Sequence, residues 1–400
     1  MSLVFIHMTH STLLGRRIHI AGSIHPDATV ASQEEVALAR AFVQGLTAEL
    51  VKAGATFVIP VDDEKLRVVD GQPICFDWLI QKTIFDNLVH RPVEASEPGR
   101  PQLITAVQHH KSEAQIPSQY SALWDALRGS DLVYVENANQ WDMNSKRLEM
   151  QALNGDILIT LGGSEGVLFL ANLYHDAGKP VIPLNFELTS VDKGSRRLFA
   201  LALTRQYSER FFRTENGSPA HGLMNRINFA PRHDTSQRIQ TVMELLRALQ
   251  RPTVFAVRLL NPKHEKYPVV EDYFEGVVGL VVESLGYKMV IVDGRQASEE
   301  SIINLEIFTK LHRSNVVVAD ITGERANNFI ELGYALGRGH RVMVTAEEGT
   351  TNPFDIEPVP THFWKSGSGA SLREKQTALR DYWQANAARR RIVEPDPLVP

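Results

Sequence analysis

Two carboxylates, Asp320 and Glu331, are the strongest candidates for chemistry in this chain. Asp320 ends an apolar run that begins at Val316, and Glu331 follows a loop that contains two adjacent asparagines. An acidic residue at the carboxyl end of a buried parallel strand faces the crevice in which open α/β sheets bind ligands. A carboxylate held near an anomeric carbon stabilises the oxocarbenium-like state of N-glycosidic cleavage, or traps it covalently. We therefore predict that Glu331 acts on a sugar carbon and that Asp320 positions the sugar or protonates the leaving base.

Less specific interpretations of the same residues stay open. The pattern predicts a helix over residues 329–336, capped by Asn327 or Asn328 and ended by glycine. In the first turn of that helix, Glu331 would complement the helix dipole, which is favourable by roughly 0.3 to 1 kcal/mol. The ring of Tyr334 either covers a base or packs in the core with its hydroxyl bonded to a neighbour.

Residues 316–344, VVVADITGERANNFIELGYALGRGHRVMV, resemble the TIR-like and nucleoside 2-deoxyribosyltransferase-like domains, and the likeness covers about residues 252–360. The resemblance implies that Glu331 attacks or stabilises the anomeric carbon and that Asp320 helps to hold the sugar or base. The first strand of that family often ends in M-P-F or G-P-F, whereas residues 258–262 read RLLNP. On this basis Asn328 is a third predicted catalytic residue, and the predicted substrate-binding residues are Arg258, Asn261, Thr322, Asn327 and Tyr334.

Two glycine turns mark the first half of the chain. One follows a short predicted strand, and the other joins an apolar strand over residues 156–160 to an apolar helix. Backbone amides at the start of a helix can cradle a phosphate. The alternative is that the glycines serve a tight strand-to-helix turn without a ligand. Because two such turns in one parallel sheet favour a nucleotide site, we predict that a nucleotide signal is bound by Gly22, Ser23, Gly162, Gly163, Ser164, Glu165 and Gly166.

Residues 17–205 resemble the SLOG superfamily, in particular its TIR- and PNP-associating group, through the AGS turn and the segment DILITLGGSEGVLFLANLYHDAGKPVIPL. The related LOG enzymes carry P-G-G-x-G-T-x-x-E. Here Leu161 replaces the proline, Glu165 is inserted, and Phe169 or Leu170 falls where the catalytic glutamate would be. The resemblance therefore implies a domain that senses a nucleotide rather than a phosphoribohydrolase. Two further cations that either contact this ligand or lie on the surface are Arg147 and Arg205.

Apolar runs alternate with helical patterns along the chain. This alternation predicts an α/β fold with two doubly wound parallel-sheet domains of the Rossmann-like or flavodoxin-like kind. A chain of 400 residues also exceeds what one core usually holds. We predict a sensing domain over residues 1–212, a linker and connecting helix over 213–251, a catalytic domain over 252–365, and a C-terminal helix and tail over 366–400.

Composition excludes several function classes. The single cysteine, Cys75, excludes a disulfide within the chain and a multi-cysteine metal site, and we expect neither a metal nor a required cofactor. A net charge of −5 with both signs interspersed predicts that duplex nucleic acid is not a partner. No apolar run reaches the roughly 18 residues of a membrane span, and the start lacks the order of a signal peptide. We therefore expect a cytoplasmic protein without a membrane segment.

The two resemblances together imply an enzyme similar to bacterial antiphage effectors. In this interpretation a small nucleotide signal, such as a cyclic dinucleotide or oligonucleotide, binds the first domain and promotes homo-oligomers. The second domain then cleaves NAD⁺, or a related nucleotide, at its N-glycosidic bond. The alternatives are a deoxyribosyltransferase or nucleosidase, and a nucleotide-binding module without catalysis.

Overall fold

The computed structural model describes residues 13–96, 100–108, 112–138, 143–230, 232–292, 303–353, 356 and 359–387. The chain folds into two compact units, and the main boundary falls between Gln250 and Arg251. Residues 213–250, predicted as a linker and connecting helix, lie in the first unit. The predicted tail after residue 387 lies outside the described residues.

The first unit is built on a sheet of six parallel strands in the order β4-β3-β2-β1-β5-β6. Because β1 and β5 are neighbours, the chain leaves these two strands toward opposite sides of the sheet, which creates a topological switch point. The strands are β1 (Arg17–Ala21), β2 (Thr56–Val61), β3 (Ile104–Gln108), β4 (Val133–Asn137), β5 (Ile157–Leu161) and β6 (Val181–Leu184).

Helices cover both faces of this sheet. Along β5, Ile157 and Ile159 enter one hydrophobic core, whereas Leu158 enters another. The helix Gln33–Lys52 packs against the helix Thr235–Ala248, because Gly45 has no side chain and leaves room for Ile239. The helices are α1 (Gln33–Lys52), α2 (Asp77–Asp86), α3 (Ser121–Arg128), α4 (Met143–Asn154), α5 (Glu165–Asp176), α6 (Gly194–Ala202), α7 (Ser208–Phe211), α8 (Ala220–Arg226) and α9 (Thr235–Ala248).

The second unit has a five-stranded parallel sheet in the order β11-β10-β9-β7-β8, which is the flavodoxin-like order with its switch point between β7 and β9. Val254 and Phe255 of β7 enter different cores, so this sheet is also covered on both faces. The strands are β7 (Thr253–Val257), β8 (Lys288–Val290), β9 (Val316–Asp320), β10 (Arg341–Glu347) and β11 (Thr361–Trp364). The helices are α10 (Tyr267–Tyr273), α11 (Gly279–Ser284), α12 (Ile303–His312), α13 (Ala326–Gly337) and α14 (Leu372–Ala387), and a π-helical turn (Phe274–Val278) joins α10 to α11.

Helix α13 begins earlier than its sequence pattern predicts. Its N-cap is Arg325, which makes no side-chain capping bond, so the predicted cap at Asn327 or Asn328 is wrong. The turn before the helix is tightened by Gly323 and Glu324, whose φ angles are 79° and 49°. The amide of Asn328 is used differently, because it donates to the backbone oxygen of Asp320 at 3.0 Å.

The predicted fold class is confirmed, since both sheets contain only parallel strands that alternate with helices. Within the described residues, no helix combines the length and apolar character needed to cross a bilayer. In the same residues, no group of three or more His, Cys, Asp or Glu side chains is arranged to hold a metal ion.

Candidate functional site

The two glycine turns of the first unit meet at the switch point of its sheet. β1 and β5 lie side by side, with Ala21 paired with Thr160, so their following turns leave the same edge. The amide of Gly163 donates to the backbone oxygen of Ser23 at 2.7 Å and ties the turns together. The sequence predicts the proximity of these turns only through the general rule for parallel sheets.

The glycines themselves are required by close approach of the backbone to itself. A Cβ on Gly22 would lie 1.7 Å from the Leu161 oxygen, and one on Gly162 would lie 2.2 Å from the Ser23 oxygen. At Gly163 it would lie 2.3 Å from a methyl group of Val167. These contacts agree with the alternative that the glycines serve a tight strand-to-helix turn. They also fix the positions of the backbone amides that follow at the start of α5.

The amides at the start of α5 are available to an anion. In the described part of the chain, no acceptor takes a hydrogen bond from the backbone amides of Ser164, Glu165 or Gly166, and Ser164 makes no side-chain cap bond. A Cβ on Gly166 would meet nothing within 4 Å, so space lies in front of this turn. Unpaired amides at a helix start bind phosphate and carboxylate groups.

Three charged side chains, Asp77, Arg147 and Asp62, stand beside these turns, and of the three the sequence had indicated Arg147 alone. Cys75 pairs with Ser23 in an antiparallel bridge, which brings Asp77 at the start of α2 to this edge. Arg147 of α4 forms an ion pair with Asp62, which directly follows β2. Asp62 directly follows a buried strand, and Asp320 ends one, so the rule that selected Asp320 could also have found Asp62. Asp77 carried no such signal, because a long-range bridge sets its place.

The carboxyl of Asp77 and the thiol of Cys75 both hold their protons unusually strongly. Burial, reinforced by the charges of Asp62 and Glu64 and opposed by Arg147, raises the pKa of Asp77 to about 7. Burial and the charge of Asp77 raise the pKa of the Cys75 thiol to about 12. Cys75 is therefore not a thiolate nucleophile at neutral pH.

In the second unit, Asp320 is a buried structural carboxylate. One oxygen accepts from the Thr322 amide at 3.0 Å, and the other accepts from Thr345 Oγ1 at 2.8 Å and Trp364 Nε1 at 3.0 Å. Its exposed fraction is 0%. Burial raises its pKa despite these hydrogen bonds. In this arrangement the carboxylate of Asp320 binds three elements together rather than facing an open crevice.

Glu331 has different surroundings. It lies partly buried on α13, and burial, opposed by the charge of Arg325, raises its pKa to about 7. Among the described residues, none forms a hydrogen bond or an ion pair with its carboxylate. Helix α13 packs on β10 and on β9 and β7, and the last two of these strands flank the switch point of this sheet. Strongly perturbed pKa values cluster at functional sites, which favours Glu331 as a candidate.

A family model described as "ATP nucleosidase Cap17-like, N-terminal" matches residues 13–246, which is more than half of the chain. The chain belongs to this Cap17-like family. The matched region includes both glycine turns and most of α9, and it fits the SLOG-type domain that the sequence resembles. No curated protein matches the chain.

The remaining residues predicted in the second unit of the Cap17-like chain fall into three groups. Thr322 and Asn328 belong to the network around Asp320, because Thr322 Oγ1 accepts from the Glu347 amide at 2.8 Å and Asn328 binds the Asp320 backbone. Asn261 and Asn327 lie elsewhere: Asn261 is exposed and accepts from the Lys263 amide at 3.1 Å, and Asn327 is exposed. Of the residues predicted for the second unit, the structure therefore brings Thr322 and Asn328 together with Asp320.

Arg258 and Tyr334 are held by neighbours within the protein. The Arg258 guanidinium forms an ion pair with Glu271 and lies 5.2 Å from the ring centroid of Phe274. The Tyr334 hydroxyl is 3.1 Å from His312 Nδ1, and its ring meets Phe308 edge-on. Tyr334 thus has the contacts expected of core packing, which was the second of its two interpretations.

One ion pair at the same sheet edge was missed by the sequence analysis. Lys266 Nζ lies 2.8 Å from Glu347, the last residue of β10. Although burial opposes the shift, hydrogen bonds from Lys266 and Ser366 lower the pKa of Glu347. The signal for Glu347 was its position at a strand end, but a lysine far earlier in the chain gives no sign of its partner.

Proposed function

We propose that this Cap17-like chain is a nucleotide-activated effector of antiphage defence that cleaves the N-glycosidic bond of a nucleotide. The first unit binds the signal, and the second unit, a TIR-like domain, carries the chemistry at Glu331. The observation that carries this proposal is the state of Glu331, a partly buried carboxylate with a pKa of about 7 and no ion-pair partner among the described residues. The family description, which names an ATP nucleosidase, supports the class of reaction.

In the proposed reaction the bond between the anomeric carbon and the base nitrogen breaks, and its electron pair leaves with the base. The ionised Glu331 stabilises the positive charge that develops on the sugar, or bonds to the anomeric carbon until water replaces it. A partly desolvated carboxylate is effective in this role because its charge is less screened than in water. Water supplies the hydroxyl group of the product.

The chemistry of the leaving group determines which nucleotide is the first candidate for the substrate. Nicotinamide in NAD⁺ carries a positive charge while bonded and leaves as a neutral molecule, so it needs no acid. Adenine needs a proton, and both oxygens of Asp320 are occupied by hydrogen bonds within the protein. We therefore place NAD⁺ first as the substrate. ATP is the second candidate, because the family description names it.

The first unit supports a sensing role. The unpaired amides at the start of α5 suit a phosphate group, and space lies before Gly166. The positions where LOG enzymes hold a glutamate carry the half-exposed Phe169 and the buried Leu170. Neither side chain can act as an acid or base. A small nucleotide signal and association of several copies remain part of this proposal.

Purified protein incubated with NAD⁺, ATP or deoxynucleosides, with and without cyclic dinucleotides and oligonucleotides, tests the proposal by chromatography of the products. We expect free nicotinamide and ADP-ribose only when a signal is present. Transfer of deoxyribose between bases would instead show the transferase, and binding without any product would show a non-catalytic module. Glu331→Gln should remove turnover, whereas Glu275→Gln, an exposed carboxylate on the π-helical turn, should retain it.

A further inference from the structure

Beyond the glycine turns, the carboxyl edge of the first sheet carries polar groups that the proposed sensing role has not used. Gln108 ends β3 and stands in register with Asn137, which ends β4. The Gln108 Nε2 donates to Asn137 Oδ1 at 3.2 Å, but no described residue donates a hydrogen bond to the Gln108 Oε1. The residue is only 5% exposed. A buried acceptor without a donor costs about 1 to 3 kcal/mol, so its persistence points to a donor supplied by a ligand.

Asp77 is the second unused group. Its carboxyl makes no hydrogen bond to another described residue, and Arg147, whose positive charge acts on it, is already paired with Asp62. The charged and titratable groups around it are Arg147 on α4, Asp62 and Glu64 after β2, Cys75 before α2, and Lys65 beside Cys75. Asp62 and Glu64 are acids, and burial together with their charges raises the pKa of Asp77 to about 7, so its carboxyl is mostly protonated below pH 7. A protonated carboxyl donates a hydrogen bond to an anion instead of repelling it.

These groups lie in a row with the free amides of α5. Strands β5, β1, β2 and β3 are adjacent, so the start of α5 and Gln108 are separated by three strand spacings, or about 14 Å. A nucleotide laid across the strand ends spans such a distance when its phosphates sit at one end and its base at the other. Asp77 and Arg147 would then face the middle of the molecule.

We propose that the first unit binds an adenine nucleotide across the carboxyl ends of β5, β1, β2 and β3, with its phosphates on the amides of residues 164–166, Asp77 and Arg147 beside its sugar and phosphates, and its exocyclic amine on Gln108. The amide of glutamine suits adenine because its oxygen accepts from the N6 amino group. Guanine places an oxygen at the corresponding position and leaves the Gln108 oxygen without a donor. The inference rests on the proposed sensing role of this unit and names its ligand class.

The test measures binding of ATP and GTP to the full chain carrying Glu331→Gln, so that the probe is not consumed, by isothermal titration calorimetry at pH 6 and pH 8. We expect ATP affinity to fall about tenfold between pH 6 and pH 8, since an anion binds best to the protonated Asp77. Asp77→Asn, which keeps a hydrogen-bond donor without the titration, should bind with the same affinity at both values. Asp86→Asn, an exposed acid at the other end of α2, should behave like the parent chain.

Gln108→Leu is the second variant. It should weaken ATP binding about tenfold and abolish the preference for ATP over GTP, while the melting temperature stays unchanged or rises because a buried unpaired acceptor is removed. Absence of ATP binding would overturn the inference. So would ATP binding that responds neither to pH nor to these two variants, because it would then occur elsewhere. This binding test does not depend on turnover. A chain that binds ATP as described but never cleaves a nucleotide would therefore contradict the proposed function and leave this inference standing.

Discussion

The indole nitrogen of Trp364 donates a 3.0 Å hydrogen bond to the carboxylate of Asp320. This bond joins the end of β11 to the end of β9 across the intervening strand β10. The same oxygen of Asp320 also accepts from Thr345, and the ring of Trp364 stacks on Tyr273 at 4.2 Å. A carboxylate at a strand end is therefore used here to fasten β9, β10 and β11 together. Its position matches that of a ligand-binding acid, but its hydrogen bonds are those of a scaffold.

Asp320→Ala should destabilise the second unit by about 3 kcal/mol, because Trp364 Nε1 and Thr345 Oγ1 would lose a buried, charge-assisted partner. Trp364→Phe, which removes one donor and keeps most of the ring, should cost about 1 kcal/mol. Urea denaturation followed by circular dichroism measures both. If Asp320→Ala left stability intact and lost only turnover, Asp320 would have the chemical role that the sequence predicts.

Much of the fold follows from local sequence, whereas the partners within each site do not. The apolar runs before Asp320 and Gly162 mark buried strands, and the residue that ends such a run must stand at the ligand edge of a parallel sheet. Whether that residue faces a crevice or the core depends on distant donors. Trp364 lies 44 residues beyond Asp320, and nothing in the local pattern predicts their contact.

The position of Asp77 in the site could not be predicted from the local sequence either. It opens α2 after a loop rich in charged residues, where hydrophobic periodicity gives no information. The bridge between Ser23 and Cys75 places it at the switch point. Glycine turns were easier to predict, because a positive φ and close backbone contact leave glycine as the residue that fits.

The activity of the Glu331 site should depend on pH. Its pKa is raised to about 7, and only the ionised carboxylate stabilises an oxocarbenium-like state, so kcat/KM on NAD⁺ should rise with pH up to about 7 and then level off. Glu331→Gln should lower kcat at least about a hundredfold and leave KM nearly unchanged, since the charge acts in the transition state. A rate that stays flat between pH 5.5 and pH 8 in the parent enzyme would contradict this assignment.

The same raised pKa makes Glu331 costly to the fold at neutral pH. The ordinary glutamate value in the unfolded chain lies below the folded value, so the carboxyl contributes fully at low pH and this contribution is lost as pH rises from about 4.5 to about 7. Glu331→Gln should therefore raise the free energy of unfolding at pH 8 by on the order of 1 kcal/mol, a figure discounted for partial exposure, and leave it unchanged near pH 4. Chemical denaturation at the two pH values measures the difference, and equal effects at both would show that burial does not govern the titration.

Acid should weaken the first unit through the pair of Arg17 and Asp156. Burial would raise the pKa of Asp156, but the charge and hydrogen bonds of Arg17 hold it well below its usual range. The stabilisation is therefore present above about pH 4 and is lost as pH falls toward the folded value. Asp156→Asn should cost about 3 kcal/mol at pH 7, because the nearly buried Arg17 loses the charge of the Asp156 carboxylate, and clearly less at pH 3. Thermal melting of the variant and parent at both pH values measures this, and a cost independent of pH would exclude the ion pair as its cause.

Alanine substitutions in the glycine turns should separate folding from ligand binding. Gly22→Ala should destabilise the first unit by several kcal/mol, because the added carbon would lie 1.7 Å from the backbone oxygen of Leu161 and φ is 158°. Gly166→Ala should change stability by less than about 0.5 kcal/mol, because its Cβ meets nothing within 4 Å, yet it narrows the space before the free amides of α5. We therefore expect Gly166→Ala to melt like the parent chain and to need several times more nucleotide signal for half-maximal activation. Melting curves and activation titrations on the same preparations measure both effects, and unchanged activation in the folded variant would place the phosphate elsewhere.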